Sequence, residues 1–241
     1  MKSTSRPGII AAVLISSLAA TTTFSADAPK MKMTTDIPPG ITTPDSVETS
    51  IGTLKYLDGA PYPETAEKAY DFLDTMRGVD AFLKGMPGAS LLGLIHGSHS
   101  VGAVEYNQVL ITDKLLDSKS LFLTGNTSTM YVAPDFDLEK DGPMVLEAPA
   151  GMLGAFNDAW FRYMQDIGPA GPDKGKGGKY LVLPPDYKGD VPDGYFVVHS
   201  RTYNVWVFMR ASIANGLEAA RKNVEDNLRI YHLSKKNNPA K

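Results

Sequence analysis

The chain has 241 residues, 43% of them hydrophobic and 21% charged, with a formal net charge of −3 and no cysteine. A weakly acidic surface excludes a basic field suited to nucleic-acid phosphates, and the missing cysteines exclude disulfides, thiol nucleophiles and thiol-linked lipid anchors. A chain this long can bury on the order of 70% of its unfolded surface, so a packed core needs no covalent staples.

Residues 1–26 place Lys2 and Arg6 ahead of an apolar run from Ile9 to Ala20, followed by small and hydroxylated residues. This is the pattern of a secretory signal peptide, and the run is too short to span a bilayer. Removing it takes the formal charge from −3 to −5 and leaves no membrane span. An exported protein without cysteines fits a bacterial periplasm better than a disulfide-rich exterior, so a periplasmic or secreted location is expected. Residues 27–50, rich in Pro, Thr and Asp, read as an extended leader.

Residues 51–106 are expected to hold a strand and a helical segment. IGTLKYL (51–57) is a short strand. Pro63 sits where a first-turn proline belongs, and Ala66, Ala69, Tyr70, Leu73, Met76, Val79 and Phe82/Leu83 recur at helical steps. Gly85 and Pro87 predict the end of that helix, and 88–103 predicts a second one weakened by three glycines. No internal repeat and no heptad is evident.

From residue 107 to 235 the period becomes two. NQVLIT, SLFLTG, STMYVAPDFDL, PMVLEAP, the long GAFNDAWFRYMQDI, KYLVLPP, GYFVVHS and NVWVFMRA are each bounded by turn residues. Without crossover helices these strands predict an antiparallel β-sandwich, so the fold class is mainly β with added helices. A helix at 212–226 and a strand LRIYHL follow, and 236–241 is a polar tail. The glycine- and lysine-rich GPDKGKGGK (171–179) fits neither the P-loop nor the dinucleotide pattern and precedes a strand. It reads as a turn rather than a phosphate cradle.

Three constellations could carry chemistry. His96 and His99 have H-x-x-H spacing with Glu105 as a third candidate ligand, although zinc catalysis needs three ligands held rigidly, and surface histidines explain the pair equally. Asp158, Trp160, Arg162 and Asp166 would share one face of the long strand, with Arg210 near. They read either as an acid/base pair with its charge partner or as a salt-bridged face. Asn126, Thr129 and Tyr131 suit either a neutral ligand such as a sugar or turn closure, with Trp160 a further binding candidate. No G-x-S-x-G elbow is present, and no cofactor is called for.

The stretches GPDKGKGGKYLVLPPDYKGDVPDGYFVVHS, WFRYMQDIG, RIYHLSKKNNPA and DSKSLFLTGNTSTMY resemble the bacterial domain of unknown function 1254 family. The resemblance covers about residues 36–240 and implies an immunoglobulin-like β-sandwich with added helices, usually exported and usually followed by a jelly-roll-like domain. The family's N-x-D-T-x-Y appears here as Asn126-Thr127-Ser128-Thr129-Met130-Tyr131, with serine in place of the acid. Two functional expectations follow. One is a binding or structural module that pairs with such a companion domain or forms a homo-oligomer, with a small-molecule ligand as a further partner. The other is a hydrolase or lyase acting on a glycan-like ligand through the Asp/Arg cluster.

Overall fold

The computed structural model describes residues 38–120, 122 and 125–237. The expected signal peptide therefore lies outside the described residues, with most of the tail. The chain divides into two units, residues 1–67 and 68–241.

In the first unit, β1 (Ser46–Thr49), β2 (Gly52–Leu57) and β3 (Ala60–Pro61) form a small antiparallel sheet. Asp58 and Gly59, both at positive φ (50° and 84°), make the tight hairpin between β2 and β3, where the backbone twist of such a turn matches that of the strands. Thr65 is buried, and its hydroxyl accepts from the Lys55 amide at 2.7 Å.

Helix α1 runs from Pro63 to Ser100, across the division between the units. This corrects the expectation of two helices. Pro87 lies inside one continuous helix, where it withholds a single hydrogen bond from the Leu83 carbonyl. Leu83 is 58% exposed, so water can take up that carbonyl. Every residue from Tyr70 to Lys84 is exposed. Over this stretch Phe72, Met76, Val79, Leu83 and Met86 alternate by four and three residues, a heptad seam that the sequence reading did not find.

The second unit holds the sandwich. One sheet runs β4 (Leu110–Ile111), β5 (Met130–Ala133), β12 (Asn204–Ala211), β8 (Met152–Asp158), β9 (Tyr163–Ile167), with β6 (Asp135–Asp137) also paired to β12. The other runs β11 (Phe196–His199), β10 (Gly178–Leu183), β7 (Met144–Ala148), β13 (Arg229–His232). Strand alternation drives the packing. Val205, Val207 and Met209 of β12 point inward and meet Tyr180 and Val182 of β10 and Leu146 of β7 in one core. The Phe156 and Tyr180 rings touch across the two layers with centroids 5.3 Å apart. Each such buried aliphatic contributes roughly 1.5–3 kcal/mol. The short α2 (Leu138–Asp141) is capped by the Asp137 carboxylate, and α3 (Leu217–Asn227) sends Ala220 and Val224 into the same core.

Three local expectations change. The pair β10 and β11 is parallel rather than antiparallel. Residues 184–195 are long enough for the return crossing that parallel neighbours need, and Tyr187 and Tyr195 from this connection cover the outer face of β10 and β7. The described residues of 120–125 are not strand. The long strand at 154–167 is a hairpin, with β8 ending at Asp158 and β9 starting at Tyr163. The lysine-glycine segment closes around a residue that periodicity does not single out. Asp173, buried, accepts from the Gly168 amide at 2.7 Å and the Gly177 amide at 3.1 Å.

Candidate functional site

Asp158 is fully buried at the end of β8. One carboxylate oxygen accepts from the Trp160 and Arg162 amides, each at 3.0 Å. The other accepts from Arg162 Nε at 2.8 Å and pairs with Arg201 Nε at 3.3 Å. Phe161 at φ 61° completes the turn. The expected single face of Asp158, Trp160, Arg162 and Asp166 is thereby broken, because the carboxylate folds residues 159–162 back on itself. Asp166 stands on β9, where its carboxylate accepts from the Tyr163 hydroxyl at 3.1 Å. Arg201, which no spacing argument reaches, is the second cation at Asp158.

Trp160 leans on α1. A Cβ added at Gly88 would lie 2.9 Å from its ring, which is why the helix carries glycine there. Arg210 joins neither carboxylate. Its guanidinium lies over the Tyr131 ring, 5.8 Å from the centroid, from the neighbouring position in register.

The histidines part company. His96 is exposed, whereas His99 Nε2 lies 3.1 Å from Asp135 Oδ2. Glu105 faces Lys140 at 3.9 Å instead. Burial raises the pKa of Asp135, against the opposing pull of His99. Among the described residues no three His, Asp or Glu side chains gather as a metal site would require.

Asn126 Oδ1 accepts from the Ser128 amide at 3.0 Å and from the Thr129 hydroxyl at 2.8 Å, and the Asn126 amide donates to the Tyr131 hydroxyl at 2.7 Å. The three residues are brought together, with these polar groups directed at one another in an Asx-type turn. The Tyr131 ring, however, opens onto something the sequence did not suggest. It stacks on Phe208 at 4.7 Å, and Phe208 stacks on Trp206 at 4.8 Å, with planes within 13°. This ladder floors a cavity of about 310 Å³ that Gly93, Leu94, Gly97 and Ser98 of α1 roof and Leu110, Thr112 and Leu116 wall. The alternation Trp206, Phe208, Arg210 on β12 was the one signal available, since it puts two large rings on the face turned away from the core.

A family model described as "Protein of unknown function (DUF1254)" matches residues 106–232. Among solved structures the chain is similar to the VPA0106 protein from Vibrio parahaemolyticus, with 18% identity and a TM-score of 0.49. That match covers 67% of this chain and 40% of the other, so the chain spans less than half of that protein's length. No curated protein matches the chain. Among the described residues no helix is long and apolar enough to cross a membrane.

Proposed function

The chain belongs to the family described as protein of unknown function (DUF1254), and on that premise we propose that it is an exported, non-catalytic module that pairs with a second subunit through α1. The observation that supports this is the exposed stretch from Tyr70 to Lys84, with the apolar residues it carries. An isolated helix of this length is marginal in water. Eight large apolar side chains between Tyr70 and Met86 are about half exposed. At roughly 200 Å² for a large side chain, the seven of them on or beside the seam (all but Tyr70) offer on the order of 700 Å², near the share one partner gives to a standard interface. The export half of the reading rests on the composition of residues 1–26.

The partner in this reading is a second copy. Two α1 helices set antiparallel about a two-fold axis between Arg77 and Gly78 bring Ala69 opposite Met86, Phe72 opposite Leu83, and Met76 opposite Val79. Each pair sets a larger residue against a smaller one, and the seam complements itself, as a two-fold interface requires. The nearby charges pair within the helix, Arg77 with Asp74 at 2.9 Å and Lys84 with Asp80 at 2.6 Å. The alternative, a hydrolase or lyase using Asp158, Arg162, Asp166 or Arg210, loses support because both oxygens of Asp158 are already engaged in the turn. Sedimentation equilibrium of the mature chain tests the proposal. A dimer that Val79→Glu converts to a folded monomer is expected; a wild-type monomer at all concentrations would remove the second copy as partner and leave only a companion domain to test.

A further inference from the structure

We infer that the cavity between α1 and the outer face of the β12 sheet is a binding site for a neutral, planar aromatic molecule of two fused rings. This rests on residues apart from the α1 seam and stands or falls independently of it.

The size comes first. An apolar cavity of about 150 Å³ accepts benzene, and this one, at about 310 Å³, is about twice as large. Its chemistry is next. Among the described residues lining it none is charged, and the polar side chains are the hydroxyls of Ser98, Thr112, Ser120 and Tyr131 and the indole N–H of Trp206. The Thr112 oxygen already accepts from the Tyr131 amide at 2.8 Å. An ion entering would therefore lose its hydration with no charged side chain in the described lining, the Arg210 guanidinium lying over Tyr131 outside it, which disfavours charged ligands.

The floor decides the shape. Tyr131, Phe208 and Trp206 stand side by side with their planes nearly parallel, 12° and 13° apart. Rings stacked along a sheet turn their faces to one another and their edges outward. Those edges carry partial positive charge, so they attract the π face of a flat aromatic in edge-to-face contact more than they attract an aliphatic ring.

The roof adds a second observation. Gly93 and Gly97 sit one helical turn apart on the cavity wall, in the C-terminal turns of α1, where glycine still weakens a helix relative to alanine. At Gly88 the Trp160 ring demands glycine, but a Cβ at Gly93 or Gly97 would have nothing within 4 Å. Among the described residues no group accounts for their small size; a ligand lying against the helix backbone would.

The test uses the mature protein and isothermal titration calorimetry with indole and 2-naphthol as neutral probes and 2-naphthoate and cyclohexanol as comparators. Sub-millimolar binding of the two neutral aromatics, with both comparators at least tenfold weaker, is expected. Gly97→Leu, which fills the cavity, should weaken the probes at least tenfold while the unliganded melting temperature stays level or rises. No heat at millimolar probe, equal binding of the comparators, or unchanged binding by a folded Gly97→Leu would each overturn the assignment. Should that variant fail to fold, the indole N–H resonances of the wild type decide. Probe-induced shifts at Trp206 support the site, and shifts confined to Trp160 refute it.

Discussion

Asp158 shows how little a residue's type says about its work. Its spacing to Arg162 and Asp166 suggests a catalytic face, yet a positive φ at Phe161 and two amide hydrogen bonds turn it into the clasp of a hairpin. Nothing in a single sequence marks Phe161 as left-handed, which is why that face was illegible. The clasp's energetics can be divided. Arg162 and Arg201 have side chains about half exposed, so their pairing with the carboxylate is screened. Deleting the carboxylate would leave the amides of Trp160 and Arg162 without that acceptor. Asp158→Asn keeps an acceptor for those amides and should cost about 1 kcal/mol, whereas Asp158→Ala should cost about 3 kcal/mol, as urea denaturation would measure. Tyr180 is the opposite case. Among the described residues its buried hydroxyl meets no partner in good hydrogen-bond geometry, and burial, reinforced by the nearby Asp173 carboxylate, raises its pKa. Tyr180→Phe removes an unsatisfied polar atom at nearly constant volume, so it is expected to be neutral or stabilising by about 1 kcal/mol in the same assay.

At the scale of elements, alternation made the sandwich legible. Val205, Val207 and Met209 face the core and Trp206 and Phe208 face away, and the same period read off the sequence located β7, β10, β11 and β13. Pairing direction was less legible. Period two says which face is buried but not which neighbour is parallel, and β10 and β11 turned out parallel once residues 184–195 supplied the crossing. Helix α1 failed differently. Gly85 and Pro87 are breaker residues, and local propensity ends the helix there, but Leu91 and Ile95 bury themselves against Ala133 and Trp206 and hold the downstream turns in place. Packing overrides a lost hydrogen bond. The continuity of α1 then implies that Pro87 is a net liability. Pro87→Ala should restore the bond to the Leu83 carbonyl and stabilise the helix by about 1–3 kcal/mol. Slower amide exchange across residues 83–91 would register the gain, and unchanged exchange would mean the proline relieves a strain elsewhere in the helix.

For the whole molecule, the contrast between a dense sandwich and a bare helical stretch sets where it opens. Local unfolding follows the density of apolar contacts, and residues 70–84, all exposed, have little of their own to hold them against fraying. The sandwich, with more than a dozen fully buried apolar side chains, should resist opening up to the global unfolding energy. Arg77 and Lys84 lie within the bare stretch and are exposed, so trypsin has two cleavage sites in the segment least able to stay closed. If α1 pairs with α1, cleavage there depends on protein concentration, because a monomer offers the open helix and a dimer hides it. Mass spectrometry of timed digests should find cuts after Arg77 and Lys84 first at nanomolar protein, receding at tens of micromolar. The dimer-breaking Val79→Glu should keep those cuts rapid at every concentration. Cleavage at the same rate across that range in the wild type would mean that the apolar seam has no partner in solution. Early cuts inside β7 or β10 would mean instead that the sandwich opens before the helix does.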